Sequence, residues 1–359
     1  MSTPPSAPTD QAFLARAQAA QAAGRFEEAV QLLWQGSRQG DVACMSQLGA
    51  QLMTGRGARP DPATGARLLI DAANRGGGYA CAVAANFLAS GFNRSRPPDW
   101  HGALDYLQRS AEVGYAPAQG QLRVLARAGA EAPQGSSAWR QLRHGVDLEA
   151  WRAPPPARVL SADPAIVAME GFIAPDACDW IVGRALQHMA PAKVIGTGAQ
   201  GAVQDQTRTN SVAELGLIHT DLVVLLVRER LSAACALPVA AMETPQVFHY
   251  AVGQQFRLHE DYLVPDGAYK SRELATHGQR AKTLLIYLND GFEGGETAFP
   301  DVGLRFRGGK GEALMFTNVL PDGSPDRRMS HAGLPPTKGE KWLFSQWVRD
   351  RNAPGTVTA

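Results

Sequence analysis

Charge of a single sign is what this chain lacks most: 35 Lys and Arg face 34 Asp and Glu over 359 residues, a formal balance of +1. A nucleic-acid groove or a face for an anionic membrane needs a surplus of one sign, so neither is expected as a partner. Cysteine is scarce as well. Cys44, Cys81, Cys178 and Cys235 lie far apart with no CxxC pairing, which excludes a disulfide framework and reads as reduced, buried thiols. No apolar run approaches the roughly 18 residues a membrane helix needs, and the opening MSTPPSAPTDQ has neither the basic start nor the apolar stretch of a signal peptide. A soluble, cytoplasmic protein is the expectation. What the chain does have is 45% hydrophobic residues, 37 Gly and 24 Pro, a composition for a folded chain with many turns. Its length exceeds what one core usually holds, so two domains are expected.

The first third repeats itself. Ala29, Ala66 and Ala103 stand 37 residues apart and open similar segments. Leu32 and Leu33, then Leu69 and Ile70, then Tyr106 and Leu107 follow at three and four residues, the spacing of one helical face. Gly40, Gly77 and Gly114 close each first helix, where a left-handed cap turns the chain. Second helices are expected over 43–52, 80–88 and 118–125. Hairpins of this size cannot bury their apolar faces alone, so they stack into a solenoid with a surface free for a partner. The segment AVQLLWQGSRQGDVACMSQLGAQLMTG resembles the Sel-one-like repeats, relatives of the tetratricopeptide repeats, over residues 12–128.

A Gly-, Ser- and Pro-rich passage follows at 129–158, with a short helix-like piece around Trp139 to Trp151, and reads as a linker. Beyond it one helical segment, Asp176 to His188, precedes mostly β text: QVFHYAV, KTLLIYLN, GLRFR, EALMF and KWLFSQWV. Their spacing with turn residues predicts an antiparallel sandwich or barrel over 159–351. Residues 1–11 read as a disordered start and 352–359 as a tail.

Within this β text, His259 and Asp261 stand two residues apart after a strand and so project to one face. A second imidazole completes a facial triad of two histidines and one carboxylate, which holds Fe(II) and leaves positions open for a co-substrate and dioxygen. His331 is the candidate. Ten residues on, Lys341 opens the last strand. A buried lysine there answers the far carboxylate of 2-oxoglutarate, whose oxo-acid end chelates iron. Lys341, Leu343, Ser345 and Trp347 share one strand face, as do Thr283, Leu285 and Tyr287, so Ser345, Trp347, Thr283 and Tyr287 are placed to line one pocket. Tyr250 and Tyr287 read equally as core aromatics with their hydroxyls at the rim. Gly294 and Gly295 read as a tight turn, and Lys338, in a Pro- and Gly-rich turn, as a solvated lysine.

The runs YAVGQQFRLHED, QRAKTLLIYLNDGFEGGETAFP, KGEALMFTN and SHAGLPPTKGEKW resemble, in order and spacing, the prolyl 4-hydroxylase branch of the 2-oxoglutarate oxygenases, across roughly residues 160–350. With the α-solenoid read from the repeats, the resemblance implies a fold of two parts, the solenoid followed by a double-stranded β-helix (jelly-roll) oxygenase domain with flanking helices. It implies Fe(2+) on His259, Asp261 and His331, and 2-oxoglutarate on Lys341 with Tyr250, Tyr287, Thr283 and Ser345 nearby. It also implies O2 as oxidant, ascorbate as a reductant, and Arg208 (in TRTNS) and Trp347 near the substrate. The activity implied is hydroxylation of an unactivated C–H bond on a peptidyl proline or other protein side chain, with release of succinate and CO2. A small-molecule hydroxylase, or a binding scaffold on an inactive oxygenase fold, are the alternatives. The segments Ile195 to Thr207 and Val264 to Gly278 are expected as mobile loops over the site.

Overall fold

The computed structural model describes residues 11–92, 97–129, 136–192, 194–195, 202–203 and 206–351. Two compact units divide between Val146 and Asp147.

The first unit is helical: α1 (Gln11–Ala22), α2 (Phe26–Arg38), α3 (Val42–Thr54), α4 (Pro62–Asn74), α5 (Gly78–Ala89), α6 (Trp100–Glu112), α7 (Ala116–Leu125) and α8 (Ser136–His144). Each helix packs mainly on its neighbours in sequence, as a solenoid requires. Asp41, Asp61 and Asp99 cap α3, α4 and α6 by accepting hydrogen bonds from backbone N–H groups of the first turn. The inward stripes are Leu32 and Leu33 on α2, Leu68 and Leu69 on α4, and Leu104 and Leu107 on α6.

These stripes correct the repeat. The first helices begin at Phe26, Pro62 and Trp100, in steps of 36 and 38 residues rather than a constant 37. Gly65, not Ala66, therefore matches Ala29, and the left-handed turns fall at Gly40, Gly76 and Gly114, whereas Gly77 caps α5 at φ −65. Gly65 is also where α4 meets α3, since a Cβ there would lie 2.7 Å from the Gly49 carbonyl oxygen.

The expected linker contains two short helices rather than one. Its first half becomes α8, held in the helical unit by packing on α6 and α7, and its second half becomes α9 (Leu148–Arg152), which packs on a helix of the second unit. The expected N-terminus lies outside the described residues apart from Gln11, as does the 352–359 tail.

The second unit is built on an eight-stranded antiparallel sheet. With strands numbered along the chain, its spatial order is β1 (Arg158–Ser161), β2 (Ile166–Met169), β13 (Ala313–Thr317), β9 (Arg280–Tyr287), β16 (Lys341–Arg349), β7 (Gln246–Tyr250), β6 (Ser211–Glu214), β3 (Ala190–Pro191). A four-stranded sheet runs β12 (Leu304–Phe306), β11 (Thr297–Phe299), β14 (His331–Gly333), β8 (Phe256–His259). Two short pairs, β4 (Val194–Ile195) with β5 (Ala202–Val203) and β10 (Glu293–Gly294) with β15 (Pro336–Lys338), complete it. This is the jelly-roll of a double-stranded β-helix. Phe248, Leu285, Leu314, Phe316, Leu343 and Trp347 of the large sheet share one core with Phe299 and Phe306 of the small sheet.

All nine residues of β16 are buried, because the strand is covered on both faces. Lys341, Leu343, Ser345 and Trp347 face the interior; behind, Gln346 accepts a hydrogen bond from Arg228 of α11 (Leu222–Cys235). Neither α11 nor α12 (Ala268–His277) is expected from the sequence reading, which finds only α10 (Pro175–Leu186) among β text. The run Leu222 to Val227 is apolar throughout and β-branched in half its positions, so no period declares it; the cap from Asp221 to the Val224 N–H, and burial on all sides, make it helix. Part of the expected mobile loop after Val264 is α12, while 196–201 and 204–205 lie outside the described residues. All four cysteines are free and buried, and among the described residues no helix is long and apolar enough to cross a membrane.

Candidate metal centre

β8 and β14 pair antiparallel with His259 directly opposite His331. Asp261 follows in the bend after β8. The Nε2 atoms of His259 and His331 lie 3.8 and 3.6 Å from the Asp261 carboxylate oxygens, and one ligand atom from each of the three residues falls within 4.8 Å of the others. Each imidazole is held from behind, because Nδ1 of His259 bonds the Arg257 carbonyl at 2.8 Å and Nδ1 of His331 bonds the Met329 carbonyl at 3.0 Å. A carbonyl only accepts, so Nδ1 carries the proton and Nε2 presents its lone pair to the centre.

Burial, and then the neighbouring His331, push the His259 imidazole down to about 3, so it is neutral at physiological pH. Burial would raise Asp261, but the two histidines, Arg280 and the Thr283 hydroxyl outweigh it and hold the carboxyl below its ordinary value. Two imidazoles and one carboxylate suit a divalent first-row ion such as iron(II).

The three residues line one cleft with Tyr250, Thr297, Lys341, Ser345 and Trp347. Lys341 is fully buried, and its Nζ has no hydrogen-bond partner among the described residues; the rings of Tyr250 and Tyr287 flank it at 5.2 and 5.4 Å. Burial lowers it to about 7, with Glu296 acting weakly the other way. A buried cation without a counter-charge is costly, and a dicarboxylate reaching from the metal would supply one. Ser345 Oγ and Trp347 Nε1 likewise have no partner among the described residues.

Three expected residues sit differently. The Tyr287 hydroxyl is engaged with Thr297 Oγ1 (2.9 Å) and the Phe306 carbonyl (3.0 Å) and does not line the cleft. Thr283 does not line it either; its hydroxyl donates to Asp261 Oδ2 at 2.6 Å. Arg208 is buried beside the cleft, its guanidinium between the rings of Phe248 and Phe256 at 4.8 and 4.6 Å. Thr297, which does line the cleft, sits in the GGET turn whose glycines, Gly294 and Gly295, both take positive φ. Lys338 is exposed and pairs with Glu293.

Sequence reading also misses Arg280. It lies 3.9 Å over the Trp347 ring and grips Glu243 with two bonds of 2.7 and 2.9 Å, while Arg349 approaches the same carboxylate at 2.6 Å. Only its position before the KTLLIYLN strand marks it.

A jelly-roll carrying two histidines, a carboxylate and a buried lysine in one cleft defines an iron- and 2-oxoglutarate-dependent oxygenase. Residues 245–349 match the 2OG-Fe(II) oxygenase superfamily. Prolyl 4-hydroxylase 5 of Arabidopsis thaliana is 32% identical over 208 residues, 53% of this chain and 69% of that protein. Probable prolyl 4-hydroxylase 9 of the same plant is 30% identical over 228 residues, 58% and 77% respectively. The chain therefore belongs to the prolyl 4-hydroxylase family. Among solved structures, the viral collagen prolyl hydroxylase of Paramecium bursaria Chlorella virus-1 is similar at 22% identity and TM-score 0.39, covering 51% of this chain and 94% of that one. The Sel1 repeat protein of Oxalobacter formigenes is similar at 22% identity and TM-score 0.31, covering 37% and 56%.

Proposed function

We propose that the chain hydroxylates peptidyl proline with iron(II) and 2-oxoglutarate. The observation that carries this is the unpartnered Lys341 ammonium in the same cleft as the His259, Asp261 and His331 cluster. His259, Asp261 and His331 hold the metal; Lys341, with Thr297 and the Tyr250 hydroxyl on the same walls, receives the far carboxylate of 2-oxoglutarate. Bound iron with 2-oxoglutarate and O2 supplies oxidative decarboxylation to succinate and CO2 and the transfer of one oxygen atom into a C–H bond, ascorbate serving as reductant.

The protein's own part is to orient and to exclude water. Phe248, Leu285 and Leu343 wall the cleft with apolar surface, which strengthens the ion pair at Lys341. Trp347, which lines the cleft and whose Nε1 has no partner among the described residues, is a donor for a peptide's carbonyl group. The substrate class follows the prolyl 4-hydroxylases to which the chain is related, and the helical unit is assigned the recruitment of a protein client. Four buried free thiols suit a cytoplasmic setting.

The test is incubation with iron(II), ascorbate, 2-oxoglutarate and proline-rich peptides. Succinate formation coupled to a gain of one oxygen atom on proline is expected, and both signals vanish in His259→Ala and Lys341→Ala. Succinate released without modification of any proline-containing peptide would remove proline from the reading; no succinate at all would remove the enzyme.

A further inference from the structure

Asp261 binds a metal only if its carboxylate is held toward the two imidazoles, yet it sits beyond the end of β8 in a bend, where no strand pairing fixes it. Its restraint is a hydroxyl. Thr283, on β9, donates from Oγ1 to Asp261 Oδ2 at 2.6 Å. A threonine hydroxyl has one proton and accepts with its lone pairs, so the direction in which it donates depends on its other partner.

That partner is Asn318, whose Nδ2 donates to Thr283 Oγ1 at 2.9 Å. An amide N–H cannot accept, so the threonine proton is left for the carboxylate. With the amide turned over, its oxygen and Asp261 would compete for one proton; the charge on Asp261 selects the orientation seen. Both side chains are sealed from solvent, Asn318 at 0% exposure and Thr283 at 1%, so no water substitutes for either. The backbone of Asn318 is tied in as well. Its N–H donates to the Ala281 carbonyl, two residues before Thr283, and its carbonyl accepts from Asp326 N–H. Asp326 in turn caps the short turn Arg327–Met329 that leads directly to His331. One residue thus joins the strand that restrains Asp261 to the segment that delivers His331.

We propose that Asn318 is a positioning residue of the metal centre, acting through Thr283 to fix the Asp261 carboxylate. It touches neither metal nor substrate. The inference rests on reading the cluster as an iron site, and metal affinity, measured apart from turnover, is its readout.

Titration of the full-length, metal-free protein with Co(II) or Mn(II), which stand in for iron(II) in air, tests it. Thr283→Val keeps the shape and removes the hydroxyl; Asn318→Asp removes the donor and leaves an acceptor that draws the threonine proton away. Each is expected to bind about 10- to 100-fold more weakly. The double variant is expected to be no weaker than the worse single one, because both changes break one relay. Thr283→Ser is expected to return to within about threefold of the parent, since the hydroxyl persists. Folded Thr283→Val, checked by thermal melting, that binds as tightly as the parent overturns the proposal. So do additive losses in the double variant, or a serine variant as weak as the valine one. Failure of the parent itself to bind either metal overturns the iron site along with it.

Discussion

His259 and His331 face each other across a single strand pair, with ring centroids 4.3 Å apart. The pairing register, rather than any contact between neighbours in sequence, brings the second imidazole to the first. A slip of one residue in either strand would turn one histidine to the opposite face and dissolve the cluster. The cluster is therefore as rigid as the small sheet, and its ionisation is a property of the fold.

The acid limit of the metal-free protein follows from that. An unfolded histidine takes up a proton near 6.5, whereas folded His259, depressed chiefly by burial and then by His331, does so only at about 3. Folded pKa below unfolded pKa means stability is fully present above about 6.5 and is lost as the pH falls toward 3. Urea midpoints of the parent are expected to fall between pH 7 and 4 more steeply than those of His259→Gln. Parallel curves would show that His259 is no part of the acid sensitivity.

Glu243 is expected to matter out of proportion to its distance from the cleft. It is the shared counter-ion of Arg280 and Arg349, and Arg280 stacks on Trp347. Glu243→Gln leaves the largely buried Arg280 guanidinium without a carboxylate in direct contact and Arg349 with Glu273 alone, at a cost of about 3 kcal/mol. Denaturant unfolding measures the loss, and the intrinsic fluorescence of Trp347 in a variant lacking the other tryptophans reports the freed stack.

In the helical unit, Gly65→Val is expected to disrupt the buried contact between α3 and α4. A Cβ at position 65 already meets the Gly49 carbonyl oxygen at 2.7 Å and the Met53 side chain at 3.0 Å, so the helices must separate. A loss of about 2 kcal/mol or more from overpacking is expected, seen as a lower-temperature calorimetric transition for the helical unit. Succinate formation on a short peptide is expected to be unchanged.

How much of this was legible in the sequence depends on the range of the interaction. His259 and Asp261 stand two residues apart and share a face, while His331 and Lys341 were legible through their chemistry, their ten-residue spacing and the family resemblance; the strand pairing that joins His331 to His259 was not. Alternation also puts Thr283 and Tyr287 on the interior face, but it does not say which partner each hydroxyl finds: Thr283 turns to Asp261, and Tyr287 to Thr297 and the Phe306 carbonyl. Asn318, Glu243 and Arg280 are ordinary polar residues in loops or at strand ends, and only tertiary pairing gives them roles. The repeat was readable as a repeat, but not its 36- and 38-residue steps, since Ala66 imitates the packing position that Gly65 fills. The helix α11 stayed hidden because an apolar run buried on all sides has no period to show.

Lys341 is expected to oppose stability and to serve binding at once. Burial holds it at about 7, far below an unfolded lysine near 10.4, so the metal-free fold loses stability from this residue as the pH falls from about 10 through 7. Lys341→Met removes the buried charge, and at pH 7 the metal-free variant is expected to be more stable than the parent by about 1–3 kcal/mol. The same group reverses sign when a carboxylate arrives, since the ion pair raises its pKa. Above pH 7 the free amine must then take up a proton on binding 2-oxoglutarate, so affinity is expected to weaken as the pH rises from 7 to 9. Calorimetry in buffers of different ionisation enthalpy is expected to report uptake of nearly one proton at pH 8.5 and much less at pH 6. Lys341→Arg, which stays charged throughout, is expected to flatten that dependence whatever its affinity. A parent protein that binds 2-oxoglutarate without proton uptake at pH 8.5 would show that the lysine is already charged in the free cleft, and that a partner other than the substrate balances it.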